Sequence, residues 1–469
     1  MEERPSSNRF FDISASAAPA LLGLLLLLTA FRGVLYIVFI PPWQSPDEPT
    51  HFEYAQVLAS GGNLFRPRPD LDLQGRIIRS LDRFQFWRLV FVEAPDPLPE
   101  TFSKTPFLHT APSQLHKNPP LYYLIASIFL RLDPDQPLLS GMYQLRVLSL
   151  LLTLLTIAVV FAAAREFAPE QPFFCLVVAV FAAFLPQFMV VGTSVSPDPL
   201  VNLLGSLMIW GALRSLREGL KAALAAKQLG VLVLGFLASY KFFMIIPALV
   251  FWLLVVFPAG LSSRRARLRL VPAAVGALAA AITAAYLFSP RLTRIYSAYP
   301  ERMAAVLGDF ISGRSSPPPG YWSWFHRELF KSTWLKFGWL KFEFAPPVYS
   351  VLRAVTVASA AGVAWTAVKT MFPGKKQETF GDRILFVMVA FTLSVLVSYY
   401  CFWGPRFQAT TTQGRHFFIA LPAGAILIVL GWGAFFPRRW RNLSYLVFMG
   451  GMVYLDLLAL FGYIRPTFA

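Results

Sequence analysis

Only two cysteines occur in 469 residues, Cys175 and Cys401, and both lie inside apolar runs. Two such isolated thiols exclude a disulfide framework and a thiolate metal site. Histidine is scarce too: the five, at positions 51, 109, 116, 326 and 416, show no HExxH or comparable metal spacing. No glycine-rich phosphate loop is present, which argues against an ATP-driven machine. Charge is thin, with 14% of residues charged against 56% hydrophobic. That balance excludes a string of soluble domains and defines a polytopic helical membrane protein, because apolar runs of about 20 residues recur along the chain.

The formal charge is +17, but Lys and Arg sit in short blocks between apolar runs, as a topology signal does. Nucleic acid is therefore not an expected partner. The lipid bilayer is, and the basic surplus of the longer loops suits anionic lipid heads or a phosphate-bearing substrate. Arg4 and Arg9 precede a run from 18 to 40 that is too long for a signal-peptide core. It reads as an uncleaved anchor with residues 1–17 in the cytoplasm, in a multi-pass membrane protein.

Charge bias then orders the spans. Helices are expected at 18–40, 146–164, 173–191 and 200–213, then as a tight hairpin over 229–258 broken near Lys241. Others follow at 271–288, 348–368, 384–402, 417–435 and 443–463. The fold class is an all-α integral membrane bundle of about 11 spans. Its first module covers 18–258, with a large external loop at 41–118 and a juxtamembrane helix at 119–132. The second covers 259–469, with an external loop at 289–346. Segment 119–132 is short for a span, and the alternative topology that inserts it would export the basic residues Arg214 to Lys227. Short surface helices are expected at 51–59 and 76–92. Arg32, inside the first run, either reaches the outer interface or faces a cavity near the acidic pair described next.

The chain is organised around PPWQSPDEPTH, residues 41–51, where Asp47 and Glu48 are boxed in by Pro46 and Pro49. The prolines stop the preceding helix and stiffen the turn. Under the expected topology this pair shares one outer face with Asp198 of SVSPDP and with the loop 404–416. A carboxylate there can act as base on an acceptor hydroxyl or hold a divalent ion, Mg or Mn, with Asp47 and Asp198 as ligands. The plainer readings are a helix-end marker for Asp47–Glu48 and an N-cap for Asp198. His51, His116 and Lys117 are candidate substrate contacts. Lys241, Arg406, Arg415 and His416 are candidates for holding phosphate, Arg through its planar fork. Trp322, Trp324, Trp334 and Trp339 either line an interfacial groove or stack on sugar.

PPWQSPDEPTHFEYA, HKNPPLYYLIASIF, SVSPDPLVNLL, KSTWLKFGWLKFEFAPPVY and TTTQGRHFFIALP occur in that order. They resemble a bacterial membrane-protein family of unknown function that is similar to the GT-C glycosyltransferases. The resemblance implies a polyprenyl-phosphate-linked sugar donor and an acidic residue or pair in the first external loop, here Asp47 and Glu48. It also implies a further carboxylate in the second, here Asp198, and a cell-envelope acceptor. A flippase or exporter of lipid-linked saccharides, or a non-catalytic envelope scaffold, are the alternatives. The flippase predicts charges spread through the mid-membrane helices and some repeat symmetry.

Overall fold

The computed structural model describes residues 16–64, 66–90, 93–105, 108–111, 119–219, 221–252, 304–314, 316–371, 380–402, 404 and 412–469. The expected span 271–288 and the far arm of the expected 229–258 hairpin lie outside them, as do His116, Lys117 and Arg406. Among the described residues the fold is all-α apart from one hairpin with two-residue strands. Among the described residues seven helices are long and apolar enough to cross a bilayer, or eight if one bent pair counts as a span.

Helix α1, Ala18–Phe39, places Leu25, Thr29, Arg32, Tyr36 and Ile37 on a buried stripe, while Leu24, Leu27, Phe31, Val34 and Val38 are exposed. The three-to-four-residue spacing of both sets is that of one helix with a protein face and a lipid face. Helix α2, Glu48–Ala59, was expected at the surface from its narrow apolar face; instead, ten of its twelve residues are buried. Its polar side chains, Glu48, Thr50, His51 and Glu53, find partners inside the protein. Helix α3, Leu71–Arg83, lies in the same loop and is capped by Asp70, whose carboxylate accepts from Leu73 N at 2.9 Å. Helix α4, Leu121–Leu130, has 10 residues, too few to span, in keeping with the juxtamembrane expectation.

Helix α5, Leu138–Phe167, is 30 residues long, so it starts well before Arg146, where the expected span began. At 1.5 Å per residue it reaches about 45 Å, beyond the hydrocarbon thickness. The expected helix 173–191 is broken into α6, Pro172–Ala183, and α7, Pro186–Gly192, bent by 62°. Pro186 imposes the break: it starts the second helix and biases Leu185 to extended backbone, observed at φ −80°, ψ 108°. Helix α8, Asp198–Glu218, packs along α5. Helix α9, Ala222–Ala238, stops at extended Ser239, followed by a 3-10 turn, Tyr240–Ile245, that carries Lys241. The break near Lys241 was legible; the start at 222 was not.

In the second half, α10, Tyr321–Trp334, leads into strands β1, Lys336–Phe337, and β2, Phe342–Glu343, paired antiparallel. Spans α11, Pro346–Met371, α12, Phe380–Phe402, α13, Leu421–Ala434, and α14, Arg438–Leu457, follow. Gly362 of α11 and Gly431 of α13 meet backbone to backbone, where any Cβ would collide, a small-residue crossing suited to helices in lipid. A π-helical turn, Leu458–Ile464, extends α14. Arg32 reaches neither the outer interface nor the acidic pair. Its Nε lies 3.0 Å from Asp456 Oδ2 on α14, and Tyr36 Oη donates to Asp456 Oδ1 at 2.8 Å.

Candidate active site

The 41–47 turn leaves α1 and turns into α2 with two residues in left-handed backbone, Trp43 at φ 71° and Asp47 at φ 62°. Aspartate tolerates that region; a tryptophan there is strained and must be held from several sides. Trp43 is fully buried. Its N–H donates to Glu48 Oε2 at 3.0 Å, its indole N–H to Ser80 Oγ at 2.9 Å, and its carbonyl accepts from the Trp339 indole at 2.9 Å. Trp339 N also donates to the Gln44 carbonyl at 3.2 Å, so the tip of the β1–β2 hairpin is docked on this turn.

Glu48 is wholly buried, with both oxygens engaged. Oε1 accepts from Arg146 Nε at 2.9 Å and Val195 N at 3.1 Å; Oε2 accepts from Arg146 Nη2 at 2.7 Å and Trp43 N. The remaining Arg146 donors reach the carbonyls of Ile37, Ile40 and Pro41. This two-pronged pair ties α1, the turn, α5 and the 193–197 turn together. Four accepted hydrogen bonds leave Glu48 no lone pair directed at a substrate. Arg146 was missed in the sequence because a single Arg at the expected edge of an apolar run reads as a boundary.

Asp47 faces the other way. Its carbonyl starts α2, accepting from Thr50 N and His51 N, while its carboxylate makes no capping hydrogen bond. Its side chain keeps 35% of its exposure and lies 3.9 Å from Arg415 Nη2. Arg415 Nε in turn lies 3.5 Å from Asp198 Oδ2, and Lys241 Nζ is bonded to Asp198 Oδ1. Asp47, Asp198, Lys241 and Arg415 thus meet at one rim. Asp198 is buried at the start of α8, where it makes no capping hydrogen bond. Arg415 Nε is buried within range of Asp198 without hydrogen-bond geometry.

His51 is buried on α2 with Nδ1 2.7 Å from Tyr123 Oη. Burial pushes its pKa down to about 4, outweighing the opposing pull of Asp47 and Asp198. It is therefore a neutral wall of the cluster. His416 is buried beside it in sequence to Arg415, edge-on to Tyr399 with ring centroids 5.5 Å apart. Tyr321, Trp322 and Trp324 pack with Phe325 and Tyr400 rather than ranging along an open groove. Trp334 is buried and Trp339 holds the 41–47 turn.

Among the described residues no three His, Cys, Asp or Glu side chains gather as a metal site needs. Arg415 stands between Asp47 and Asp198, and Lys241 takes an oxygen of the latter. Cations so placed repel a divalent ion, so this donor set does not fit the expected Mg or Mn.

A small cleft opens beside Arg415. Its polar lining includes Ser45, Gln187, Ser332, Lys336 and Gln413, and Val190, Val191 and Leu340 give it apolar walls. Gln187 and Lys336 were missed in the sequence. Lys336 belongs to a strand of two residues, too short to show a period of two.

An apolar helical bundle with carboxylates and cations gathered at one rim defines a polytopic integral membrane protein with a buried polar cluster at the edge of its spans. Residues 30–423 match the family described as "Predicted membrane protein (DUF2142)", and the chain belongs to that family. Among solved structures, the oligosaccharyltransferase of Archaeoglobus fulgidus, in complex with Zn and sulfate, aligns with a TM-score of 0.50 at 14% identity. That match covers 94% of this chain and 53% of the archaeal one, so the chain spans about half its length. ArnT of Cupriavidus metallidurans bound to undecaprenyl phosphate aligns at 0.47 and 14% identity, over 97% of this chain and 74% of ArnT. No curated protein matches by sequence.

Proposed function

We propose that the protein is a membrane glycosyltransferase that moves a sugar from a polyprenyl-phosphate donor to a cell-envelope acceptor. Its rim cluster faces outward from a bacterial plasma membrane, with the N-terminus in the cytoplasm. The observation that carries this reading is the bridge from Asp47 through Arg415 to Asp198 and Lys241. A half-exposed carboxylate and a cationic pair meet there, although they arrive from three distant parts of the chain.

Asp47 is the base. Its carboxylate takes the proton of the acceptor hydroxyl as that oxygen attacks the anomeric carbon. The bond from that carbon to the donor phosphate oxygen breaks, and the phosphate leaves with the electron pair. Arg415 and Lys241 meet the charge gathering on it. Attack opposite the leaving group inverts the anomeric configuration. Asp198 is the auxiliary carboxylate that positions both cations, and Glu48 holds the turn on which Asp47 sits.

The test is transfer in proteoliposomes from radiolabelled undecaprenyl-phosphate sugars to envelope lipid or glycan acceptors. Transfer that disappears in Asp47→Asn supports the assignment. Transfer unchanged in that variant sinks it.

A further inference from the structure

His51 lies in the first turn of α2 and is held there from several sides. Its Nδ1 lies 2.7 Å from Tyr123 Oη on α4, and the two rings stand with centroids 5.9 Å apart. Tyr54, one turn further along α2, packs on the same tyrosine at 4.2 Å. At the far end of α2, Arg131, just past α4, donates to the carbonyls of Ala59 at 3.0 Å and Leu58 at 2.7 Å. Those are among the last carbonyls of α2, which have no partner within the helix. The imidazole therefore rides on two helices clamped together at both ends.

Burial decides which ring nitrogen carries the proton. Tyr123 is fully buried, and among the described residues its hydroxyl has no hydrogen-bond partner besides His51. If Nδ1 were the donor, the phenol proton would be left inside the protein without an acceptor; with the phenol donating to Nδ1, both atoms are satisfied. Burial pushes the Tyr123 pKa up, so the phenol keeps its proton. It pushes the His51 pKa down to about 4, so the ring takes no second proton at neutral pH. The proton of the neutral imidazole therefore sits on Nε2. That nitrogen makes no hydrogen bond within the described residues. The ring lies in the field of all four rim groups: Asp47 at the head of α2, Asp198 at the start of α8, Arg415, and Lys241.

We propose that His51, through Nε2–H, is an uncharged hydrogen-bond donor to the lipid-linked phosphate, and that Tyr123 is the positioning residue that fixes this tautomer. The inference rests on the glycosyltransferase reading and deepens it. Arg415 and Lys241 already bring positive charge to the rim, where Asp47 and Asp198 face it. Loss of the sugar turns a singly charged phosphodiester into a more highly charged monoester. A third cation would hold that product more tightly than the donor lipid and slow its release. A neutral N–H orients the phosphate without adding to the grip on the product.

The experiment uses the full chain in nanodiscs. Nitrogen NMR of protein carrying isotope-labelled histidine, with His51 assigned by the signals lost in His51→Ala, should show the Nε2–H tautomer at neutral pH. Undecaprenyl phosphate should move the Nε2 signal more than the Nδ1 signal, and Tyr123→Phe should mix the two tautomers. Affinity for undecaprenyl phosphate should fall roughly 10-fold in His51→Ala and stay within about three-fold of the parent in His51→Gln, whose carboxamide offers a neutral donor at similar reach. An imidazolium or an Nδ1–H tautomer at neutral pH, an Nε2 signal unmoved by the lipid, or affinity unchanged in His51→Ala overturns the donor role and leaves the transferase reading to its Asp47→Asn test. Failure of undecaprenyl phosphate to bind the parent protein overturns both.

Discussion

Asp47 and Glu48 are neighbours in the chain that look in opposite directions. Glu48 is locked into the interior by Arg146, at 2.7 Å and 2.9 Å, whereas Asp47 faces Arg415, at 3.9 Å, across the rim. The left-handed backbone of Asp47 makes this possible by starting a helix that carries one carboxylate inward and leaves the other outside it. Two residues of one chemical kind therefore divide between holding the turn and facing the rim.

The division is separable by mutation. Glu48→Ala strands the Arg146 guanidinium without its carboxylate, and breaking a buried pair from one side costs about 3–5 kcal/mol. Thermal unfolding of the purified protein should show a large loss. Asp47→Asn should unfold within a few degrees of the parent and yet lose transfer by about 10²-fold or more. Equal thermal losses in the two variants would contradict the division.

Arg415→Lys keeps the charge and removes the fork. Affinity for undecaprenyl phosphate should fall about 10-fold, and further in Arg415→Gln. A lysine that performs as well as the arginine would show that a point charge is all the site needs.

Glu53 gives the protein a pH dependence that one variant can isolate. The carboxyl is buried on α2, accepts from Gln74 Nε2 at 2.7 Å, and burial raises its pKa to about 7. The folded state therefore binds more protons than the unfolded state between about 4.5 and 7, and stability falls as pH rises through that window. His51, pushed down to about 4, acts in the opposite sense, and its contribution is lost as pH falls from about 6.5 toward 4. Glu53→Gln should match the parent near pH 5 and be more stable at pH 8 by up to about 3 kcal/mol. Unfolding curves at the two pH values decide it. A variant less stable at both would show that the carboxylate is needed.

Chelation separates the two possible roles of the aspartates. With Arg415 between Asp47 and Asp198, transfer should survive excess EDTA within about two-fold, since charge on the departing phosphate is met by Arg415 and Lys241. Activity lost to EDTA and restored by Mg or Mn would reinstate the metal-ligand role.

Much of the site could be read directly because its residues stand in turns. Asp47, Asp198 and Arg415 each sit where proline or glycine interrupts an apolar run, and a charge there is visible as a departure from pattern. The role of Glu48 could not be read, because it is set by Arg146, 98 residues away. Asp47 and Glu48 carry the same local signal. The β1–β2 hairpin was invisible for a different reason: its strands are two residues long, and Gly338, Trp339 and Leu340 at its tip all take positive φ. Span counting from charge bias gave about 11 helices. It treated each apolar run as straight, so the 62° bend at Pro186 was lost.

The bond between Tyr36 and Asp456 joins α1 to α14, across 420 residues of chain. During synthesis Arg32 enters the bilayer long before Asp456 exists, and an unmatched guanidinium in hydrocarbon is costly. The pair thus makes synthesis of α14 a condition for burying the charge on α1, and a chain cut short before α14 exposes a guanidinium that membrane quality control can recognise.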